Sequence, residues 1–207
     1  TIKGTQLGLP YGRNRKLTCG WNRKVFVWKG TTDIVAEFAA SCGHSLNLDG
    51  DAYLVASDRE VARHYKALAE KRGSFLREEL IVNALAETDV LKEVLAEGAI
   101  SRKEEWDAFR VKQGFTGAFL ADLDHHPETK GPAGSTLFPT LVTHGNIFSW
   151  SKQRLATASE MLAVHGAHVL PEMQAKWCYP HCKTLLEMPV HKQCQLVGNS
   201  LLMPAVS

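Results

Sequence analysis

Apolar positions recur at helical spacing through the middle of the chain, and a helix-capping side chain precedes several of these runs. The clearest starts are capping boxes, in which a Ser or Thr and a Glu three residues later each satisfy the other's free backbone N–H. Each box is followed by a glycine that ends the predicted helix. The boxes and their terminators are Ser57/Glu60 with Gly73, Ser101/Glu104 with Gly114, and Thr157/Glu160 with Gly166.

Three further helices are predicted between the first basic residues and the middle of the chain. One begins at 31–33 and stops at Gly43, one begins at Ser74, and one begins at Thr88 and runs to Gly98. Together with the capping boxes they make residues 31–113 mostly helical.

Extended or irregular structure is predicted elsewhere. Residues 7–29 include β-branched and aromatic runs that favour strands. Residues 121–136 are rich in Gly, Pro and Asp and predict a loop, after which 140–143 returns to strand character. Prolines within 167–197 predict an irregular segment there.

These elements predict a mixed α/β fold in three parts. Residues 1–30 supply short strands, 31–136 form a mainly helical insert, and 137–207 form a strand, a helix and an irregular C-terminal region.

Composition is typical of a globular protein, with 44% hydrophobic and 22% charged residues and a net charge of +2. No apolar run approaches the roughly 18–20 residues that span a bilayer, so no transmembrane segment is predicted. No secretory signal opens the sequence. Five irregularly spaced cysteines favour a reducing compartment. We therefore expect an intracellular protein, nuclear in a eukaryote and cytoplasmic otherwise.

Charge is unevenly distributed along the chain. Residues 1–30 contain seven Lys and Arg and no acidic residue, whereas 31–113 contain 11 basic and 16 acidic residues. Such a basic block predicts a phosphate-facing surface, with Lys16, Arg23 and Lys24 as DNA-binding candidates. A solvated pair of basic strands is an equally good interpretation.

Three short segments carry a family resemblance. Gly8–Arg15 reads Gly-Leu-Pro-Tyr-Gly-Arg-Asn-Arg, residues 154–160 read Arg-Leu-Ala-Thr-Ala-Ser-Glu and lead to Gly166, and residues 198–200 read Gly-Asn-Ser. In this order they resemble the last three motifs of the DNA (cytosine-5)-methyltransferase family. The chain departs from the family pattern at Tyr11, where Gln is usual, and at Ala156, where Leu is usual.

The resemblance implies the end of a Rossmann-like methyltransferase with its target recognition domain at 31–136. Such enzymes flip a cytosine out of the duplex before methylating it. By resemblance, Arg15 would contact the flipped base and Arg13 would support its pocket. Gly198, Asn199 and Ser200 would close one side of the S-adenosylmethionine site. Alternatively, both arginines lie on the exposed face of a strand and Gly198–Asn199–Ser200 is a turn.

The family's nucleophile and cofactor motifs do not occur in this sequence: there is no Pro-Cys pair, no Gly-rich turn after an early strand, and no Glu-Asn-Val triplet. The resemblance therefore implies DNA as a partner, together with a separate catalytic subunit or an upstream polypeptide. The rival hypothesis is a non-catalytic structural or interaction subunit of a larger protein assembly, in which the basic strands are buried against protein.

A second cluster of candidate ligands lies near the C-terminal end. Thiolate and imidazole donors suit zinc, although the spacing fits no standard zinc finger. The interpretation we favour is buried or idle thiols, with a zinc site as the alternative. Its ligands would be Cys178, Cys182, His191 and Cys194.

Overall fold

The computed structural model describes residues 2–3, 14–15, 24, 36, 40, 49–77, 81, 88–129, 134–167, 169 and 182–199, with residues 2–3, 14–15 and 88 described in backbone only. The strands are β1 (Ile2–Lys3), β2 (Asn14–Arg15), β3 (Leu120–Asp122), β4 (Gly134–Ser135), β5 (Ile147–Ser149) and β6 (Arg154–Leu155). The α-helices are α1 (Asp58–Lys71), α2 (Thr88–Val94), α3 (Glu97–Lys112), α4 (Ala158–Val164), α5 (Cys182–Glu187) and α6 (Val190–Asn199), and Gly50–Tyr53 forms a 3-10 helix.

A small antiparallel sheet with the strand order β4-β3-β5-β6 lies at the centre of the described region. Leu120 pairs with Ser149, Ala121 with Phe148, and Phe148 with Leu155. The chain therefore builds the sheet from segments that are far apart in sequence.

The sheet is buried on both faces. Successive strand residues point to opposite faces, and here they enter two different hydrophobic clusters. Leu120 and Ile147 pack in a cluster that includes residues of α4 and Val197 of α6. Ala121 and Phe148 pack in a second cluster with residues of α1, α2 and α3. Helices thus cover the sheet on either side.

The predicted start and end of α1 are confirmed. The Ser57 hydroxyl accepts from the backbone N–H of Glu60, and the Glu60 carboxylate accepts from the N–H of Ser57. The chain leaves the helix through Gly73, whose φ of +79° is the left-handed conformation that glycine adopts without steric cost.

The capping box predicted at Ser101 and Glu104 is wrong, and so is the predicted extension of the preceding helix to Gly98. Helix α2 ends at Val94, and α3 begins at Glu97 with Ala96 as its N-cap. Ser101 and Glu104 therefore lie inside α3. Ala99 and Trp106 of α3 are buried in the core beside the sheet, and its N-cap makes no side-chain hydrogen bond.

The strand predictions for the middle of the chain also need correction. Residues 121–122 and 134–135 are strand, not loop. The strand predicted at 140–143 is absent; the segment that pairs with β3 is Ile147–Ser149. Leu141 instead packs its side chain into the core from an irregular backbone. Pairing with a distant strand, not local β-propensity, determines which segment joins the sheet.

The prediction of an irregular C-terminal segment is wrong for residues 182–187 and 190–197, which lie in α5 and α6. Pro189 lies between these helices and directly precedes α6. A proline is tolerated at that place because the first N–H groups of a helix have no intrahelical partner. The Gln193 amide donates to the backbone oxygens of Leu186 and Met188, which secures the turn between the helices.

The predicted mixed fold of helices and strands is confirmed for the described residues. The three predicted domains remain predictions. The sheet combines β3 and β4, which precede the expected boundary after residue 136, with β5 and β6, which follow it. In the described part of the chain, no helix has the length and apolarity needed to cross a membrane.

Near the N-terminus, β1 and β2 form an antiparallel pair in which Ile2 lies opposite Arg15. Ala36 and Ala40 are helical, within the helix predicted to end at Gly43. Most of the extended structure predicted within 7–29 lies outside the described residues, and so does most of the helix predicted from Ser74. The predicted start of that helix is wrong, because residues 75–77 are not helical.

Candidate functional site

The residues that match the second motif form a buried ion pair. Arg154 in β6 and Glu160 in α4 are joined by two hydrogen bonds, Nη2 to Oε1 at 2.7 Å and Nη1 to Oε2 at 2.9 Å. Their side chains are only 7% and 0% exposed. This two-pronged geometry is the one that a guanidinium and a carboxylate adopt best.

Glu160 also receives two backbone hydrogen bonds. Its Oε1 accepts from the N–H of Ala56 at 2.7 Å, and its Oε2 accepts from the N–H of Thr157 at 2.8 Å. The Thr157 hydroxyl in turn accepts from the N–H of Glu160, which confirms the predicted capping box. One carboxylate therefore connects the strand β6, the start of α4 and the segment that leads into α1. We call Arg154, Thr157 and Glu160 the Arg154–Glu160 lock.

Two α1 side chains border this lock. The Tyr65 hydroxyl accepts from the N–H of Leu155 at 3.0 Å, and burial raises the pKa of Tyr65 to about 12. Burial lowers the pKa of His64 to about 4, although the negative charge of Glu160 acts to raise it. Burial also acts to lower the pKa of Arg154, but the hydrogen bonds and charge of Glu160 outweigh it and raise the pKa overall. Arg154 is therefore cationic and His64 is neutral at pH 7.

The third motif segment packs against the core beside the lock. Helix α6, which contains Gly198 and Asn199, packs on α4. A Cβ atom built on Gly198 would overlap the backbone nitrogen of Thr143, so this position requires glycine for close approach. Asn199 is exposed at the helix end, and Ser200 lies outside the described residues. In the described part, Gly198–Asn199 is the end of a helix, which differs from the turn considered above.

A groove of about 1130 Å³ opens between α1, the 142–147 segment and the two C-terminal helices. Apolar side chains form much of its wall. They are Ala67, Leu68, Val94, Ala96, Val142, Ile147, Leu155, Ala156, Met161, Leu186, Met188, Pro189 and Val190. Leu155 and His64, which border the Arg154–Glu160 lock, also line the groove.

The basic residues predicted to bind DNA are only partly described. The backbone of Arg15 lies in β2, and Lys24 is exposed in a turn. Arg13, Lys16 and Arg23 lie outside the described residues. The predicted roles of all five in DNA binding therefore remain predictions.

Two predicted zinc ligands, His191 and Cys194, lie on α6 and line the groove, while Cys182 is buried in α5. Burial raises the pKa of the Cys194 thiol, so it is protonated at neutral pH. Cys178 lies outside the described residues. Among the residues that are described, no group of three or more His, Cys, Asp or Glu side chains is arranged to hold a metal ion.

One polar cluster was not predicted. Asp122, 1% exposed at the end of β3, accepts from the N–H groups of Asp124 and Asn146 and lies 2.9 Å from Nδ1 of His125. Burial, followed by the nearby charge of Asp122, raises the pKa of Asp124. The sequence signal was the Asp-Leu-Asp-His run, which we assigned to a loop. These hydrogen bonds hold the turn after β3 against Asn146, which lines the groove.

Comparison of the chain with protein-family models gives no match, and neither does comparison with curated proteins.

Proposed function

We propose that the chain is the DNA-recognising, C-terminal part of a protein similar to DNA (cytosine-5)-methyltransferases. Its role is to bind DNA and to complete the flipped-base and S-adenosylmethionine pockets of a catalytic part provided by another subunit or by further polypeptide. In this proposal the fold is the end of a Rossmann-like methyltransferase domain with an inserted recognition domain.

The observation that carries the proposal is the structural role of the motif residues. Four positions match the family's second segment, and each has a specific role in the fold. Arg154 and Glu160 form the buried pair, Thr157 caps α4, and Gly166 ends that helix with a φ of +88°.

Gly198 adds an independent match. It begins the third motif segment, and it occupies a position where only glycine fits against Thr143. Because α6 packs on α4, the second and third segments lie in one packed unit. Segments so far apart in sequence thus occupy adjacent parts of one core, as parts of one ancestral site would.

The roles follow residue by residue from the resemblance. Arg15 contacts the flipped cytosine and Arg13 supports its pocket, because a guanidinium keeps its charge and donates in a fixed fork. Gly198, Asn199 and Ser200 border the cofactor. The basic residues Lys16, Arg23 and Lys24 contact phosphates.

The test is the binding of a fluorescein-labelled duplex, followed by fluorescence anisotropy from low to moderate salt. The double variant Arg13→Gln/Arg15→Gln should weaken binding and reduce the slope of log K against log salt by about 0.9 for each phosphate contact that is lost. A matched control, Arg59→Gln/Arg77→Gln, removes the same charge from exposed positions of the described region and should bind like the unmodified chain.

Two results would contradict the proposal. One is no binding of duplex DNA by the unmodified chain at low salt. The other is an equal loss in both double variants, which would mean that net charge alone attracts DNA. Co-purification with a stable protein assembly free of nucleic acid would instead favour the structural-subunit hypothesis.

A further inference from the structure

The groove between α1 and α6 has a wall suited to a flexible apolar ligand. Its apolar lining is aliphatic, with two methionines, Met161 and Met188, whose side chains adapt to irregular shapes. Its volume of about 1130 Å³ slightly exceeds the roughly 300–1,000 Å³ of small-molecule sites. The cavity is therefore large enough to enclose most of a small organic molecule.

Cations on α1 form one edge of this groove. Arg63, Lys71 and Arg72 line it and are exposed. The acidic residues in the lining are Glu70 and Glu187. Glu187 already lies 3.8 Å from the ammonium of Lys183, which is outside the groove. The edge provided by α1 consequently has an excess of positive charge.

The charge of Lys71 acts inside the groove. Lys71 lines the groove, and its charge acts to lower the pKa of the Cys194 thiol on the opposite wall, against the larger effect of burial. An anionic group held between α1 and α6 would have this cation beside it.

His64 provides a polar group in the apolar part of the wall. It is 5% exposed, it lines the groove, and among the described residues its Nδ1 has no hydrogen-bond partner. A buried polar atom without a partner is costly, and such atoms in native proteins call for a physical reason. His64 thus adds a buried polar side chain to the aliphatic wall of the groove.

We propose that this groove is a binding site for an amphiphilic anion, a molecule with an aliphatic body and a carboxylate or similar anionic head. The body lies along the aliphatic wall, and the head lies at the α1 edge near Arg63 and Lys71. This proposal is independent of DNA recognition, which we assign to the N-terminal basic residues.

The first test uses 8-anilinonaphthalene-1-sulfonate as a fluorescent probe on the full chain, because it combines an apolar body with an anionic head. We expect saturable binding at one site, with displacement by dodecanoate. Dodecan-1-ol has the same aliphatic body without the charge, so it should displace the probe about tenfold less effectively, which corresponds to one charge-assisted hydrogen bond. Equal displacement of the probe by dodecanoate and by dodecan-1-ol would overturn the proposal that the site binds an anionic head group.

Two variants locate the site. Arg63→Gln should weaken dodecanoate binding about tenfold while dodecan-1-ol binding changes little. Arg59→Gln is the matched control, since Arg59 is exposed one turn earlier on α1 and does not line the groove. Ala96→Trp should block both ligands, because Ala96 lines the groove from an exposed position where a larger side chain displaces no core residue.

Far-UV circular dichroism shows whether each variant keeps the fold. Probe binding that is unchanged in both folded Arg63→Gln and folded Ala96→Trp would overturn the proposal, as would the absence of binding by the unmodified chain. Displacement of the probe by a short DNA duplex but not by dodecanoate would identify a nucleic-acid site and would also overturn it.

Discussion

At the scale of single residues, Glu160 shows how a buried charge can be fully satisfied. Its two oxygens accept four hydrogen bonds, from Arg154 and from the backbones of Ala56 and Thr157. Burial of an ion pair is costly unless every donor and acceptor is paired. Here both carboxylate oxygens of Glu160 are paired, which offsets the cost of burying the charge.

We predict that Glu160→Gln lowers the free energy of unfolding by at least about 3 kcal/mol, because it leaves the buried Arg154 without a counter-charge. Urea denaturation followed by circular dichroism measures this change. Glu60→Gln is the matched control: Glu60 has the same position in the other capping box, but it is exposed. Its cost should stay within about 1 kcal/mol. Similar costs for both variants would contradict the proposed importance of the buried charge.

At the scale of elements, the sequence predicts best where structure is determined locally. The capping boxes at Ser57 and Thr157 were predicted because the two members of each box interact across a single turn. The same pattern failed at Ser101, since the chain is already helical from Glu97. Short local patterns cannot indicate whether a helix has begun earlier.

The strands were harder to predict because their formation depends on partners that are distant in sequence. Strands β3 to β6 contain two or three residues each, and their pairing partners lie up to about 30 residues away. Part of the candidate site was visible in sequence, namely the motif residues Arg154, Thr157, Glu160 and Gly198. The groove and the Asp122 cluster were not, because both depend on how separate elements come together.

The contact between α6 and the 142–144 segment gives a prediction at this scale. In a helix, Gly→Ala normally stabilises by up to about 1 kcal/mol. At Gly198 we predict the reverse, a loss of about 1–3 kcal/mol, because the new methyl group would overlap the backbone of Thr143. Gly117→Ala is the control, since a Cβ there meets no atom within 4 Å. Thermal denaturation of both variants measures the difference, and a Gly198→Ala protein as stable as the unmodified chain would refute the close approach.

At the scale of the whole molecule, one sheet joins residues before and after 136, where the sequence predicts a domain boundary. Its strands come from both sides, and each of its faces is covered by its own hydrophobic cluster. Loss of the sheet would therefore expose both clusters together. Small structures whose core is shared in this way unfold in a single transition.

We accordingly predict that the described core unfolds cooperatively in urea. In a variant with Trp21, Trp28 and Trp177 changed to Phe, tryptophan fluorescence reports on Trp106 and Trp150, which are buried in the cluster beside α1–α3. Far-UV circular dichroism also reports on α4 and α6, which cover the other face. The two signals should give the same midpoint, and Glu160→Gln should shift both midpoints equally, because the Arg154–Glu160 lock connects β6 and α4 to the segment before α1. Separate midpoints would show that the two faces unfold independently and would support a domain boundary after residue 136.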